Sequence, residues 1–172
     1  MNETLLQLFS LGALLLLAGC TIFLLLELFK IKNPFKTILV RFQNEAIFFF
    51  ALTVTVLNIF LSSYFQFAPC ELCWYQRVFL FAIPFISFIA AAKNDLNGRL
   101  YVFVLSALGL VVALYHTLLQ AGLFQKVAAF CNPNSAIDCA VPYFTYYGFV
   151  TIPFMSCVVF LSLMIASYVY KK

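Results

Sequence analysis

Charged side chains are scarce in this sequence of 172 residues, because Asp, Glu, Lys and Arg together make up only 9% of it. Soluble domains carry about 25% charged residues, so a chain that is 65% hydrophobic is not an ordinary soluble domain. Histidine is also rare, and His116 is the single example. The net charge of +4 is spread between apolar stretches rather than collected in one patch, which argues against nucleic acid as a partner. The composition therefore indicates an integral membrane protein.

Five apolar segments alternate with short polar ones, and each is long enough to cross a hydrocarbon core of ~30 Å as a helix. We predict an all-α membrane protein with one extra N-terminal span at 5–29 and a four-helix transmembrane bundle core at 46–170. Residues 17–20 resemble a lipoprotein cleavage site, but the leader lacks positive charge and the apolar run continues past Cys20, so we expect this span to remain. The predicted core spans are 46–67, 74–92, 100–123 and 146–170.

The orientation of these spans follows from the basic residues between them. The only extended polar stretch, 30–45, suits either an amphipathic helix on the cytoplasmic membrane surface or a basic connecting loop. Basic residues are concentrated on one side of the predicted membrane, so the positive-inside rule places the N-terminus outside and the C-terminus inside. The concentrated residues are Lys30, Lys32, Lys36, Arg41, Lys93, Arg99, Lys171 and Lys172, against Arg77 and Lys126 on the opposite side.

Cysteines occur both between and within the predicted spans. Those between the spans face outward, and in a bacterium that is the oxidising side, where thiols become disulfides. Cys20 and Cys157 lie inside apolar segments, where we expect small buried hydrophobic side chains. The outward cysteines form two pairs, Cys70/Cys73 and Cys131/Cys139.

The stretch from Cys70 to Arg77 combines two cysteines three positions apart with an arginine one helical turn beyond the second. Pro69 and the apolar run from Trp74 place Cys73 in the first turn of a helix. The helix N-terminus and Arg77, which shares a face with Cys73, both stabilise a thiolate, the reactive form of cysteine. An interfacial arginine that reaches toward lipid head groups is the alternative explanation for Arg77. The pattern indicates thiol redox chemistry at the membrane surface.

Further candidates for function lie in the second half of the chain. Cys131 and Cys139 suit either a second redox pair or a static disulfide staple. His116 and Gln120 lie one turn apart near the outer end of the fourth predicted span. Because polar groups inside a membrane are candidates for function, we expect this face to hydrogen-bond the carbonyls of a quinone. A hydrogen-bonded residue of the helix bundle is the alternative interpretation of His116.

Several motifs together resemble the DsbB/BdbC-type disulfide bond formation proteins. They are Pro69-Cys-x-Leu-Cys-x-x-x-Arg77, His116-Thr-Leu-Leu-Gln120 and Gly148-Phe-Val-Thr-Ile-Pro153, with an outward cysteine pair before the last span. The resemblance covers about residues 45 to 170. It implies a four-helix quinone reductase of the bacterial cytoplasmic (inner) membrane that reoxidises an extracytoplasmic, DsbA-like thioredoxin-fold thiol oxidase. The first span has no counterpart in that core.

The resemblance also implies a route for electrons through the outer cysteines. The Cys131–Cys139 disulfide accepts electrons from the partner's dithiol, with Cys131 as the site of the mixed disulfide, and exchange passes them to Cys70–Cys73. Cys73, assisted by Arg77, then reduces a bound quinone, either ubiquinone or menaquinone.

Two other classes of protein fit the same cysteines. Four outward thiolates match the ligand number of tetrahedral zinc, although a cationic Arg77 beside them then has no role, and we expect no metal site. Alternatively, the outward disulfides are structural staples of a helix bundle.

Overall fold

Helices make up nearly all the regular structure of the chain, which is represented by a computed structural model. The structure describes residues 2–28, 43–95, 97–123, 131 and 137–168. Within these ranges no strand forms part of a sheet, and a single β-bridge joins Tyr146 to Val150. The predicted all-α fold is confirmed. The helices are α1 (Asn2–Leu28), α2 (Gln43–Tyr64), α3 (Glu71–Lys93), α4 (Gly98–Gln120) and α5 (Ile152–Tyr168).

Four of the helices, α1 to α4, are long and apolar enough to cross a membrane, so the chain is a multi-pass membrane protein. The helix α5 is also apolar, and its described part has 17 residues, at the lower limit of about 17–25 for a membrane span. Five spans with the N-terminus outside therefore stay a prediction. Most of the predicted linker at 30–45 lies outside the described residues, as do Lys126, Lys171 and Lys172.

The last helix begins at Ile152, later than the 146 predicted from its apolar sequence. Tyr147 and Gly148 have φ angles of 53° and 81°, whereas an α-helix requires φ near about −63°. The N–H of Val150 donates to the carbonyl oxygen of Tyr146 at 2.9 Å, which closes a turn in place of the helix. Hydropathy does not report backbone conformation. Because this turn is as apolar as the helix, the predicted start of the last helix was several residues too early.

Consecutive helices from α2 to α5 pack against one another, and α5 also contacts α1 and α2. Short connections favour such neighbours in helix bundles. The contact between α4 and α5 is close at Gly109, where an added Cβ would clash with the ring of Phe160. The buried core consists of Ile47, Ala51, Leu80, Ile83, Val102, Ala113, Cys157, Phe160 and Leu163.

The outward faces of the helices are apolar as well. Phe85 is 71% exposed, and Leu15 and Val111 are each 65% exposed. Monomeric soluble proteins rarely expose contiguous apolar surface on this scale. Such faces are suited to contact the lipid tails of a membrane rather than water.

Candidate functional site

The first cysteine pair lies where α3 begins. Cys70 is the residue before the helix and Cys73 is in its first turn, as predicted. The two residues are free thiols, with their Sγ atoms 2.9 Å apart, and Cys70 is only 6% exposed. The chain folds this way because Pro69 cannot continue a hydrogen-bonded helix backward and the apolar run from Trp74 favours helix forward.

His116 of α4 lies against this thiol pair and is 1% exposed. Its Nε2 atom is 3.8 Å from Cys70 Sγ and 3.1 Å from the carbonyl oxygen of Cys139. Its Nδ1 atom is 3.0 Å from Nε2 of Gln76. A neutral ring protonated at Nε2 satisfies all three contacts, since it accepts from Gln76 and donates toward Cys139 and Cys70.

The surroundings of Cys70 favour its thiolate. The hydrogen bond with Cys73 lowers the pKa of the Cys70 thiol below its ordinary value, and His116 lowers it further. Burial raises the same pKa but is outweighed. The backbone N–H of Cys73, in the first turn of α3, also hydrogen-bonds Cys70 and lowers the same pKa. Cys70 is therefore suited to be the anionic member of the pair.

The second cysteine pair forms a disulfide between Cys131 and Cys139. Cys139 is 2% exposed and packs in one cluster with Cys70, against which Cys73 and Cys131 also pack. The structure therefore brings together two pairs that lie far apart in the sequence. A remote staple is not expected to place its sulfurs beside a second pair.

Gln120 also lies between the two pairs. Its Nε2 atom is 3.3 Å from the carbonyl oxygen of Cys139 and 3.5 Å from Nε2 of His116. Both residues border a small cavity beside Cys70 and Cys139. Neither borders the larger cavity described next. Contact of His116 and Gln120 with a quinone stays a prediction, and their contacts in the structure are to the cysteine pairs.

A larger cavity of about 300 Å³ lies on the other side of Cys73. Its polar end holds Cys73, Gln76 and Arg77, and the remainder is lined mainly by Leu, Val, Phe and Ala side chains of α1, α2 and α5. Ligand pockets in proteins are of this kind, mostly apolar with a few convergent polar groups, and occupy about 300–1,000 Å³.

Arg77 is anchored at this polar end by α2. Its Nε donates to Oδ1 of Asn58 at 2.9 Å, its Nη2 donates to Ser62 Oγ, and its guanidinium lies 5.2 Å from the ring centre of Trp74. The hydrogen bonds of Arg77 thus run to α2, while its charge acts on Cys73 through space. Asn58 and Ser62 were not predicted, although polar residues four positions apart in an apolar span were a usable signal.

The two cavities share part of their lining. Cys73, Tyr143 and Ile152 border both of them. Tyr143 is held there by its hydroxyl, which donates to the carbonyl oxygen of Ala68 at 2.7 Å. Cys70 borders only the small cavity and Arg77 only the large one. Cys73 is therefore the sulfur accessible from both sides.

The residues of the larger cavity fit a quinone. A planar ring with two carbonyls needs an apolar slot with hydrogen-bond donors at one end. Arg77 carries five N–H donors, and Nε and Nη2 bond to α2. Cys73 and Arg77 would hold the head of a quinone, and the apolar lining would hold its tail.

The first pair also has the geometry of a metal-binding cluster. The potential ligand atoms of Cys70, Cys73 and His116 all lie within 4.8 Å of one another. A site with four thiolates would require the Cys131–Cys139 disulfide to be reduced. Among the described residues, the metal-binding alternative thus has three ligands rather than four.

Comparisons with known proteins bear on the same residues. The family model for "Disulfide bond formation protein DsbB" matches residues 41–170. The SPbeta prophage-derived disulfide bond formation protein B of Bacillus subtilis is 42% identical over 114 residues, which cover 66% of this chain and 75% of the relative. The disulfide bond formation protein C of Bacillus subtilis is 33% identical over 131 residues, covering 72% and 91%. The probable disulfide formation protein C of Bacillus cereus is 35% identical over 123 residues, covering 69% and 84%. No solved structure matches the chain significantly.

Proposed function

Because this chain belongs to the DsbB family of disulfide bond formation proteins, we propose that it reoxidises an extracytoplasmic thiol oxidase and passes the electrons to a membrane quinone. The thiol oxidase is of the thioredoxin-fold, DsbA-like type. A thiol-disulfide oxidoreductase of this kind sustains disulfide bond formation in exported proteins.

The observation that carries the proposal is the packing of both cysteine pairs around His116. Cys70 Sγ and the Cys139 carbonyl oxygen both contact His116 Nε2, at 3.8 Å and 3.1 Å. Disulfide exchange requires direct attack of a thiolate on a sulfur, so two pairs that exchange must be neighbours, as they are in this packed cluster. Two unrelated staples have no such requirement.

Two exchanges carry the electrons to the first pair. The partner's dithiol reduces the Cys131–Cys139 disulfide, leaving a disulfide on the partner and two thiols on this chain. Those thiols reduce a Cys70–Cys73 disulfide and return to the disulfide form. Each exchange moves two electrons and two protons and needs no other reactant. After the second exchange, Cys131 and Cys139 would again form a disulfide, and Cys70 and Cys73 would be thiols.

The last step takes place at the polar end of the larger cavity. A bound quinone would supply the two-electron acceptor that no side chain provides. Cys73 borders that cavity together with Arg77, so it is the sulfur that would face the quinone. Cys70, the member of the pair suited to be anionic, lies 2.9 Å from Cys73, so the Cys70–Cys73 disulfide can re-form while the quinone would take up the two electrons and two protons and become a quinol.

The relay predicts different effects for different cysteines. Cys131→Ser removes the entry disulfide, so oxidation of a reduced thioredoxin-fold dithiol protein is expected to stop, whereas quinone should still oxidise Cys70 and Cys73. The measurement is loss of quinone absorbance, together with mass spectrometry of the thiols, using purified protein and a water-soluble ubiquinone or menaquinone analogue.

Cys157→Ser is the matched control, since Cys157 is a buried free thiol that contacts Thr117 rather than either pair. It should retain the activity of the unmodified chain. Undiminished oxidation of the protein dithiol by the Cys131→Ser variant would refute the relay.

A second candidate function is metal binding, which the Cys70, Cys73 and His116 cluster favours. Zinc prefers such thiolate and imidazole ligands in tetrahedral sites. If this were the function, the protein would purify with one equivalent of metal that the His116→Ala variant loses, and quinone would not oxidise its thiols.

A further inference from the structure

The helix α1 lies before the residues that match the family model, which begin at 41. Its inward face nevertheless forms one side of the larger cavity. The contributing residues recur every three or four positions, as the face of one helix requires. They are Leu6, Leu8, Phe9, Gly12, Ala13 and Leu16.

The position of α1 is set by its packing on α5. Cys20 Sγ lies 3.1 Å from Ser162 Oγ, and the buried Ser10 donates to the carbonyl oxygen of Leu6 rather than into the cavity. Val54 and Leu57 of α2 line the cavity opposite α1. The cavity therefore occupies the space between α1 and α2.

The chemistry of the cavity is divided along its length. Arg77, Asn58 and Ser62 lie at one end with Cys73, whereas the residues of α1 are apolar. A Cβ built at Gly12 would meet no atom within 4 Å, so the open space reaches the backbone of α1. The ligand that fits has a polar head at Cys73 and an apolar tail along α1.

We propose that α1 forms the tail-binding side of the quinone site and selects among quinones by the bulk and length of the isoprenoid chain. This inference rests on the proposed function and adds to it a segment that the family match does not include. The head group contacts Cys73 and Arg77, and the tail lies between α1 and α2. Selectivity for the tail thus depends on α1 in addition to the cysteine-bearing core.

Gly12→Phe tests the proposal because it places a large ring in the open space. Gly19→Phe is the matched control, since Gly19 is also on α1 with no atom within 4 Å of an added Cβ but does not line the cavity. Trp74 is the single tryptophan and lies beside Arg77, so quenching of its fluorescence measures quinone binding directly. Quinones with short and long isoprenoid tails are titrated into each variant, and KM and kcat are measured in parallel.

We expect Gly12→Phe to raise Kd and KM for the long-tailed quinone by about tenfold, a typical cost of overpacking, while the short-tailed quinone binds as before. Gly19→Phe should resemble the unmodified chain. Gly12→Leu, a smaller change, should give an intermediate increase and serves if Gly12→Phe does not fold.

Equal affinities in the Gly12 and Gly19 variants would overturn the role of α1 and leave the proposed function intact. Saturable quenching without quinone reduction would instead overturn the proposed function, and the Gly12 affinities would still decide the role of α1. The absence of saturable quenching with any quinone would overturn both.

Discussion

His116 contacts a residue of each cysteine pair, Cys70 and Cys139. Its contact with Gln76 determines which ring nitrogen carries the proton. The amide of Gln76 is 5% exposed and lies 3.0 Å from His116 Nδ1. A donor at that nitrogen leaves the proton of a neutral ring on Nε2, the atom that faces Cys70 and Cys139. Two side chains one turn apart on α3 thus contact the site at different groups: Cys73 contacts Cys70, and Gln76 contacts His116.

The lowered pKa of Cys70 predicts an unusual pH dependence. A thiol with an ordinary pKa of ~8.5 is mostly protonated at neutral pH, whereas Cys70 should remain a thiolate through the neutral range and lose its charge only in acid. The measurement is the ultraviolet absorbance of thiolate in the reduced protein, taken as the difference from the Cys70→Ser variant. His116→Ala should shift the transition upward in pH. A transition that stays near the ordinary value in the unmodified protein would contradict the assignment.

Much of this site was predictable residue by residue, but its contacts were not. The spacing within 70–77 and 116–120 placed each polar group on a helix face, because short-range spacing fixes position on a helix. The bonds from Arg77 to Asn58 and from His116 to Cys139 depend on how separate helices pack. The periodicity of a single sequence does not show which faces of separate helices pack together.

At the scale of the helices, the packing of α4 on α5 depends on the absence of a side chain at Gly109. The ring of Phe160 occupies the space that a Cβ would need. Phe160 is itself 1% exposed and borders the larger cavity. The fit between these helices therefore also shapes the cavity.

Gly109→Ala should lower the stability of the bundle. The added methyl group forces the buried Phe160 ring to move, and overpacking of this kind costs about 1–3 kcal/mol. Thermal unfolding in detergent, followed by circular dichroism, measures the change. Gly12→Ala is the control, because its Cβ meets no atom within 4 Å. If the two variants unfolded at the same temperature, the close contact would not exist in solution. Addition of Phe160→Leu to Gly109→Ala should restore part of the loss.

The helices themselves were predictable, whereas the cavity was not. Apolar length identified each helix because lipid requires every backbone group to bond within the segment. The start of α5 was wrong because a turn with positive φ at Tyr147 and Gly148 is as apolar as a helix. A void between α1 and α2 is a property of packing that hydropathy does not report.

For the whole molecule, the proposed relay makes a prediction about orientation across the membrane. The proposed relay requires the connection between α4 and α5 to face outward, together with the start of α3. The turn between α3 and α4 must then face the cytoplasm. Asp138 lies in the connection between α4 and α5, and Asp95 lies in the turn between α3 and α4.

A membrane-impermeant maleimide tests this orientation. In a chain whose native cysteines are replaced by serine, Asp138→Cys should react in intact cells, whereas Asp95→Cys should react only after lysis. A fluorescent protein fused after Lys172 should fluoresce in the cytoplasm. Labelling of Asp95→Cys in intact cells would show that the topology is the reverse of the predicted one. The cysteine pairs would then face the cytoplasm rather than the oxidising side.

The shared border of the two cavities has a consequence for how the enzyme turns over. Cys73 is reached by the cysteine relay from one side and by the apolar cavity from the other. Under the proposed function, a protein partner docked at the cysteine pairs would leave the apolar cavity open to a quinone, and a bound quinone would leave the docking side free. In the proposed function, both substrates could therefore be bound at once, with Cys73 as the sulfur that joins the relay to the apolar cavity.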